Sequence, residues 1–242
     1  MTGLVVTNPP RADRAAVDAL AGYGVATIHE AQGRTGLLGS HLRPIQTGVR
    51  VAGNAVTATV VPGDNSMIGV AVEQCGEGDI LVVTLTTPTG ESDMGYVGDL
   101  LATTLKRRGV RGLVTEAGVR DIADLNEMGF PVWTKAISAE GCGKGRLGDV
   151  NVPISVAGRI VSPGDVVIAD DDGVVVVPRL DAASVAAAAQ AREEKEARAR
   201  ARYLAGEIAL DVNDMRPMLE QAGIRYVDHA DWVKEQQQED RA

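Results

Sequence analysis

Aromatic side chains are scarce in this chain: one Phe, two Trp and four Tyr make up only 3% of 242 residues. The core must therefore come from Val, Ile, Leu and Ala, a supply that suits strands and helices combined in an α/β fold. Cysteine is equally sparse. Cys75 and Cys142 show neither CxxC nor zinc-like spacing, so a reduced, cytoplasmic setting is expected. The three histidines, His29, His41 and His229, form no HxxxH pair, and nothing announces a histidine-built zinc centre. Positive charge is in deficit too, with 24 Lys and Arg against 33 Asp and Glu, a net charge of -9 and a pI near 4.9. That balance argues against a nucleic-acid surface or an anionic-membrane partner. No apolar run approaches the roughly 20 residues of a membrane span, and no charged-then-apolar leader opens the chain. A soluble, unexported protein is expected.

What is present is 45% hydrophobic residues, enough to bury a substantial core as one domain with a terminal extension. The chain is organised around the run Gly112-Leu113-Val114-Thr115-Glu116-Ala117-Gly118-Val119-Arg120-Asp121. Leu113 and Val114 begin a buried strand, and Ala117-Gly118 offers a sharp turn. Ile122, Leu125 and Met128 then recur at helical spacing up to a stop at Gly129. Arg120 and Asp121 thus fall where a strand hands over to a helix, the rim at which α/β proteins place ligands. A fixed cation beside a hard carboxylate suits a metal-bound anion there. A local salt bridge or a helix N-cap is the plainer role for the same two side chains.

Ahead of this run, Pro10 to Gly24 reads as a first helix with Asp13 in its opening turn, and Val25 to Gln32 as a second that stops at Gly33. His29, Glu30 and Arg34 beside it read as surface and subunit-contact residues. Ala55 to Val61 alternates like a strand, Pro62-Gly63-Asp64-Asn65 turns, Met67 to Gln74 is helical and Ile80 to Leu85 is a buried strand. Thr86 to Tyr96 is polar and reads as a loop. Gly98-Asp99-Leu100-Leu101 opens a helix to about Arg108. Its free N–H groups at Leu100 and Leu101 make a carboxylate cradle, and Asp99 is a natural cap.

Past the central run come a strand from Phe130 to Lys135 and a Gly-rich loop from Glu140 to Arg146. The loop lacks the GxxxxGK[ST] spacing of a nucleotide-binding P-loop; its glycines instead let Lys144 or Arg146 approach an acid group. Val150 to Pro178 is strand and turn, and Asp170-Asp171-Asp172-Gly173, lacking the spacing of a calcium loop, reads as a hairpin. Asp181 to Ala205 is a long helix supported by the pairs Glu194 with Arg198 and Glu196 with Arg200. Asp211 to Ala222 is a last helix, followed by a frayed polar tail. No internal repeat or linker divides the chain.

Five blocks then fall in a telling order: Gly98-Asp99-Leu100-Leu101-Ala102-Thr103, Glu116-Ala117-Gly118-Val119-Arg120-Asp121, Phe130-Pro131-Val132-Trp133, Asn151-Val152-Pro153, and Pro163-Gly164-Asp165 through Asp172-Gly173. With them the chain, from about Pro10 to Val227, resembles the class II pyruvate aldolases of aromatic-acid breakdown. These are the 4-hydroxy-4-methyl-2-oxoglutarate and 4-carboxy-4-hydroxy-2-oxoadipate aldolases, within the larger group named after the regulator of ribonuclease activity A. The resemblance implies an α/β single domain, a β-core flanked by helices of the swivelling β/β/α type, over residues 1–180. It further implies a C-terminal helical extension, 181–242, packed on a neighbouring subunit of a trimer or hexamer. By the same resemblance the protein is a lyase using Mg2+ or Mn2+. Asp121 binds the metal directly, while Asp99 and, from an adjacent subunit, Glu196 hold it through water. Arg120 contacts the keto oxygen, the N–H groups of Leu100 and Leu101 the pyruvyl carboxylate, and Lys144 a distal carboxylate. One departure is Gly69, which stands where the family's pattern often carries His.

The activity so implied is retro-aldol cleavage to pyruvate plus oxaloacetate or a second pyruvate, with oxaloacetate decarboxylation on the side. Opening the C3–C4 bond drives electrons onto the C2 oxygen, so charge must be stabilised there. Two other readings compete. One is a ribonuclease-binding regulator without aldolase activity, which the long helix bearing Glu196 disfavours. The other is a Schiff-base aldolase on Lys135 or Lys144, which needs a desolvated lysine that neither sequence neighbourhood offers.

Overall fold

Asp13 starts the first helix, α1 (Arg14–Leu20), by accepting from the Ala16 N–H at 3.1 Å. A second, α2 (Val25–Ala31), ends where Gly33 turns with a φ of 73°. These local signals work as expected. The computed structural model describes residues 2–87 and 93–239, in two units, Met1–Arg192 and Glu193–Ala242.

The first unit is built on one sheet. Its strands are β1 (Arg43–Pro44), β2 (Val51–Val60), β3 (Asp79–Leu85), β4 (Gly95–Val97), β5 (Gly112–Val119), β6 (Val132–Ile137), β9 (Val166–Asp170) and β10 (Gly173–Val177). They run in the order β1-β6-β5-β3-β2-β9-β10, with β4 added against β5. The pairs among β2, β3, β5 and β6 are parallel, as is β4 with β5. A small hairpin of β7 (Ile154–Val156) and β8 (Arg159–Val161) stands apart. Parallel strands need crossovers, and these are α3 (Ser66–Gln74), α4 (Asp99–Arg107) and α5 (Ile122–Glu127).

Side chains alternate across the strands and so fill separate cores. Leu81, Val83 and Leu113 pack under α3, α4 and α5 with Ile68, Leu105 and Leu125. Ile80, Val82, Val114 and Trp133 point the other way, onto Leu38, Leu42 and the β7–β8 hairpin. Val166, Ile168, Val175 and Val177 meet α1, α2 and the first half of α6 (Ala182–Leu204). The Trp133 indole N–H donates to the Asp170 carbonyl at 2.8 Å, although β5, β3 and β2 lie between β6 and β9 in the sheet. The sheet therefore curls strongly on itself. A β-core flanked by helices, as expected, is what the chain builds.

Four local expectations need correction. No turn occurs at Ala117-Gly118: β5 runs straight through to Val119, with a register shift against β6 between Thr115 and Gly118. Gly118 serves close approach instead, because a Cβ there would collide with the Asp93 carbonyl. The loop expected over Thr86 to Tyr96 partly lies outside the described residues, and its end, Gly95-Tyr96, is strand β4. The expected helix over Asp211 to Ala222 is two, α7 (Ala209–Val212) and α8 (Arg216–Gln221), broken where Asp214 turns with a φ of 50°. The tail is not frayed either: α9 (His229–Glu239) forms there, started by Asp228, which accepts from the Ala230 N–H at 2.8 Å. These helices belong to the second unit, where Arg202 pairs with Glu207 at 2.6 Å and Arg225 with Glu235 at 3.0 Å.

Candidate active site

The short strand β4 governs the site's geometry. Beyond the register shift, β5 leaves β3 and takes β4 as its neighbour, pairing Gly118 with Gly95 and Val119 with Val97. Two parallel strands thus end side by side, and the Arg120 N–H donates to the Val97 carbonyl at 2.9 Å. One exit leads through Gly98 into α4 and the other through Arg120-Asp121 into α5. Asp99 and Asp121, expected to act together and 22 positions apart in sequence, are brought to one rim by this exchange of partners.

Asp121 sits at the N-cap of α5 but does not cap it. Its backbone is left-handed, with φ 58° and ψ 44°, a conformation that Asp tolerates better than most residues. The carboxylate turns to α4 instead: Oδ2 accepts from the Asp99 N–H at 3.1 Å and lies 3.5 Å from Arg120 Nε. Gly98 makes this possible, because any Cβ there would collide with Asp121 Oδ2 and press on the Arg120 side chain. Asp99 is the first residue of α4 and Gly98 its cap. The next N–H groups, of Leu100 and Leu101, have no intrahelical acceptor by helix geometry, and Leu100 is 75% exposed.

The Gly-rich loop closes one side. The Gly95 N–H donates to the Glu140 carbonyl at 2.7 Å, and Gly141 lies so close to Arg120 that a Cβ would stand 3.1 Å from Nη1. Cys142 follows, half-buried; burial pushes its thiol up to about 11 against the pull of Arg120, so it is protonated and unreactive at neutral pH. Lys144 is exposed and its Nζ donates to Asn65 Oδ1 at 2.7 Å. The turn carrying Asn65 also holds Asp64, 2% exposed. Burial pushes the Asp64 carboxyl up, yet the N–H and hydroxyl of Ser66 and the N–H and charge of Arg146 outweigh it and leave the group below its usual 3.8.

Arg120, Asp121, Asp99 and the start of α4 therefore meet in the first unit, and the loop bearing Lys144 joins them through Gly141 and Asn65. Glu196 lies on α6 beyond Arg192, in the second unit. Lys135 pairs with Asp93 at 3.0 Å, so its ammonium is held by a carboxylate and does not stand in the apolar setting that a Schiff-base lysine needs. Gly69 faces open space, with nothing within 4 Å of where a Cβ would be. Asn65 and Tyr96 were not foreseen as site residues, although a Gly-Asp-Asn-Ser turn ahead of a helix is rich in side chains that bond backbone.

No three His, Cys, Asp or Glu side chains among the described residues converge as a ready-made metal cluster. The candidate donors are instead two carboxylates, Asp121, whose Oδ2 is bonded to the start of α4, and Asp99, the first residue of that helix. An all-oxygen donor set without His or Cys fits Mg2+ or Mn2+ and does not fit zinc.

The chain is thus a mixed α/β protein with an acid and a guanidinium together at the carboxyl ends of parallel strands, the edge at which α/β proteins place ligands. The profile of the RraA-like family, described as Aldolase/RraA, matches residues 16–176. The chain belongs to that family. Among its relatives is a protein of Halalkalibacterium halodurans named putative 4-hydroxy-4-methyl-2-oxoglutarate aldolase, 31% identical over 165 residues, 68% of this chain and 77% of that protein. One of the same name from Burkholderia multivorans is 35% identical over 148 residues, 60% and 87% of the two chains. The crystal structure of Streptomyces coelicolor RraAS2, described as an unusual member of the RNase ES inhibitor RraA family, is similar at a TM-score of 0.70 and 30% identity, over 80% of this chain and 99% of that one. The RNA-processing inhibitor RraA from Thermus thermophilis matches at 0.57 and 26%, over 64% and 93%.

Proposed function

We propose that the protein is a divalent-metal-dependent lyase that cleaves 4-carboxy-4-hydroxy-2-oxoadipate, 4-hydroxy-4-methyl-2-oxoglutarate or both by a retro-aldol reaction. The observation that carries this reading is the Asp121 carboxylate, turned from its own helix toward the start of α4 beside Arg120. The relatives named as aldolases support it. Asp121 would hold Mg2+ or Mn2+ directly, with Asp99 and, from an adjoining copy in a trimer or hexamer, Glu196 acting through water. When bound, the cation supplies Lewis-acid withdrawal of negative charge from the substrate's 2-keto oxygen.

The chain's own groups do the rest. The Leu100 and Leu101 N–H groups, at the positive end of α4, hold the pyruvyl carboxylate. Arg120 donates to the keto oxygen, where charge accumulates as the C3–C4 bond opens. Asp99 orients a water that takes the C4 hydroxyl proton; the C4 carbonyl forms and the bond's electron pair passes to the pyruvyl fragment. Lys144 holds a second carboxylate at the far end of the substrate. The proton taken from the C4 hydroxyl is returned through that water to C3, which gives pyruvate, with oxaloacetate or a second pyruvate as the other product. Loss of CO2 from oxaloacetate leaves the same fragment and is the expected side activity.

Pyruvate release from several 4-hydroxy-2-oxo acids, with and without Mg2+, tests this. The expected result is activity abolished by EDTA, restored by Mg2+, and lowered about 10²- to 10³-fold in kcat by Arg120→Ala. Turnover that survives both EDTA and that substitution overturns the reading. The likeness to two proteins described as RNase or RNA-processing inhibitors favours a second reading, a ribonuclease-binding regulator. Co-purification with a ribonuclease and no turnover of any of these acids would establish it instead.

A further inference from the structure

The loop that carries Lys144 is fastened on both sides of that residue to the turn over Gly63-Asp64-Asn65-Ser66. The Gly143 N–H donates to the Gly63 carbonyl at 2.8 Å, and the Asn65 N–H to the Gly143 carbonyl at 3.3 Å. The Gly145 N–H donates to Ser66 Oγ at 2.7 Å and the Arg146 N–H to Asp64 Oδ2 at 3.0 Å, while the Arg146 guanidinium reaches the Pro62 carbonyl. None of these bonds uses the Asn65 side chain. That amide bridges two other groups, its Nδ2 donating to the Tyr96 carbonyl at 2.8 Å and its Oδ1 accepting from Lys144 Nζ at 2.7 Å. A carbonyl on one side demands the NH2 and an ammonium on the other demands the oxygen, so the amide orientation is fixed from both ends. Tyr96 is itself buried in β4 and receives the Gly63 N–H on its hydroxyl at 2.6 Å. Asn65 therefore ties the ammonium to the strand that leads into Gly98 and Asp99.

We infer that Asn65 is a positioning residue that aims Lys144 at the second carboxylate of the substrate, so that this turn sets the preference for 4-hydroxy-2-oxo acids with an acidic tail. The inference rests on the aldolase reading and deepens it. An exposed lysine on a flexible stem is a poor specificity element, since ordering it costs side-chain entropy. A neutral amide partner reduces that cost without neutralising the charge, as a carboxylate would. An acidic tail then meets an ammonium already in place, which belongs to binding rather than to bond cleavage.

The test compares the parent, Asn65→Ala, Lys144→Ala and the double variant. The substrate is whichever of the two carboxylated acids the parent turns over faster, and oxalate serves as an inhibitor that fills only the pyruvyl end. For Asn65→Ala the expected result is a KM raised about tenfold with kcat within about twofold and an unchanged inhibition constant for oxalate. The double variant is expected to lose no more than Lys144→Ala alone, because one residue acts through the other. Equal losses for substrate and oxalate, multiplicative losses in the double variant, or no change in Asn65→Ala overturn the inference while leaving the aldolase reading intact. No pyruvate from the parent overturns both. If Asn65→Ala does not fold, Asn65→Asp serves: it keeps an acceptor for Lys144 but sets a negative charge against the acidic tail. A raised KM with unchanged oxalate inhibition supports the inference, and parallel losses overturn it.

Discussion

Asp121 could be singled out from its position, but not its direction. An Asp at the first turn of a helix ordinarily caps that helix, and local pattern does not say toward which neighbouring element this one turns. The left-handed backbone decides the matter by rotating the carboxylate away from α5 and onto the Asp99 N–H. Gly98 is the complementary half of this arrangement, legible in sequence only as a helix start. Gly98→Ala is therefore expected to displace the Asp121 carboxylate and lower kcat/KM for pyruvate release at least about 100-fold, the scale of a 1 Å misplacement. Circular dichroism should remain that of the parent, since the glycine's φ of -127° is open to alanine. A variant with parental kcat/KM would remove Gly98 from the site. Lys144 was legible as a cation in a Gly-rich loop; its partner Asn65 was not, because residues 79 positions apart meet only through the fold.

Helices and long strands declared themselves through periodicity and caps: α1, α2, α3, α4 and β3 fall close to where the pattern puts them. β4 did not. Three residues, Gly-Tyr-Val, carry too little pattern to read as a strand, and they become one only because β5 offers a free edge after its register shift. The curl of the sheet was equally invisible, since it brings Trp133 to the Asp170 carbonyl across strands that lie apart in the sheet order. Trp133→Phe keeps the apolar ring but leaves that buried carbonyl without its indole donor. The expected cost is about 1–3 kcal/mol, read as a lower urea midpoint with the slope unchanged. An unaltered midpoint would mean that the indole bond does not help hold the curl.

For the whole molecule, the acidic balance of -9 coexists with carboxylates that the fold pulls below their usual range. Asp64 is lowered from 3.8 by Ser66 and Arg146 against its burial, Glu30 from 4.5 by Arg34, and Glu207 from 4.5 by Arg202. Each folded value lies below the unfolded one, so the unfolded chain binds more protons as pH drops between them. The stability these groups contribute is fully present above about pH 4.5 and is lost as pH falls through the lowered values. Urea midpoints are expected to hold from pH 7 to about 5 and to fall below about 4, with Asp64→Asn flattening part of that fall. Midpoints that rise on acidification would contradict the sign. Among the described residues, no helix is long and apolar enough to cross a membrane.

By itself the sequence determined the α/β class, the aliphatic core, most helices and the rim on which Arg120 and Asp121 stand. All of these follow from short-range periodicity, capping and turn chemistry, which act between residues a few positions apart. The tertiary structure alone decided that β5 changes neighbours, that Asp121 faces α4 rather than its own helix, and that Asn65 grips Lys144. Those outcomes depend on which distant backbone groups compete for the same hydrogen bonds once the sheet has curled, and no local pattern encodes the result of that competition.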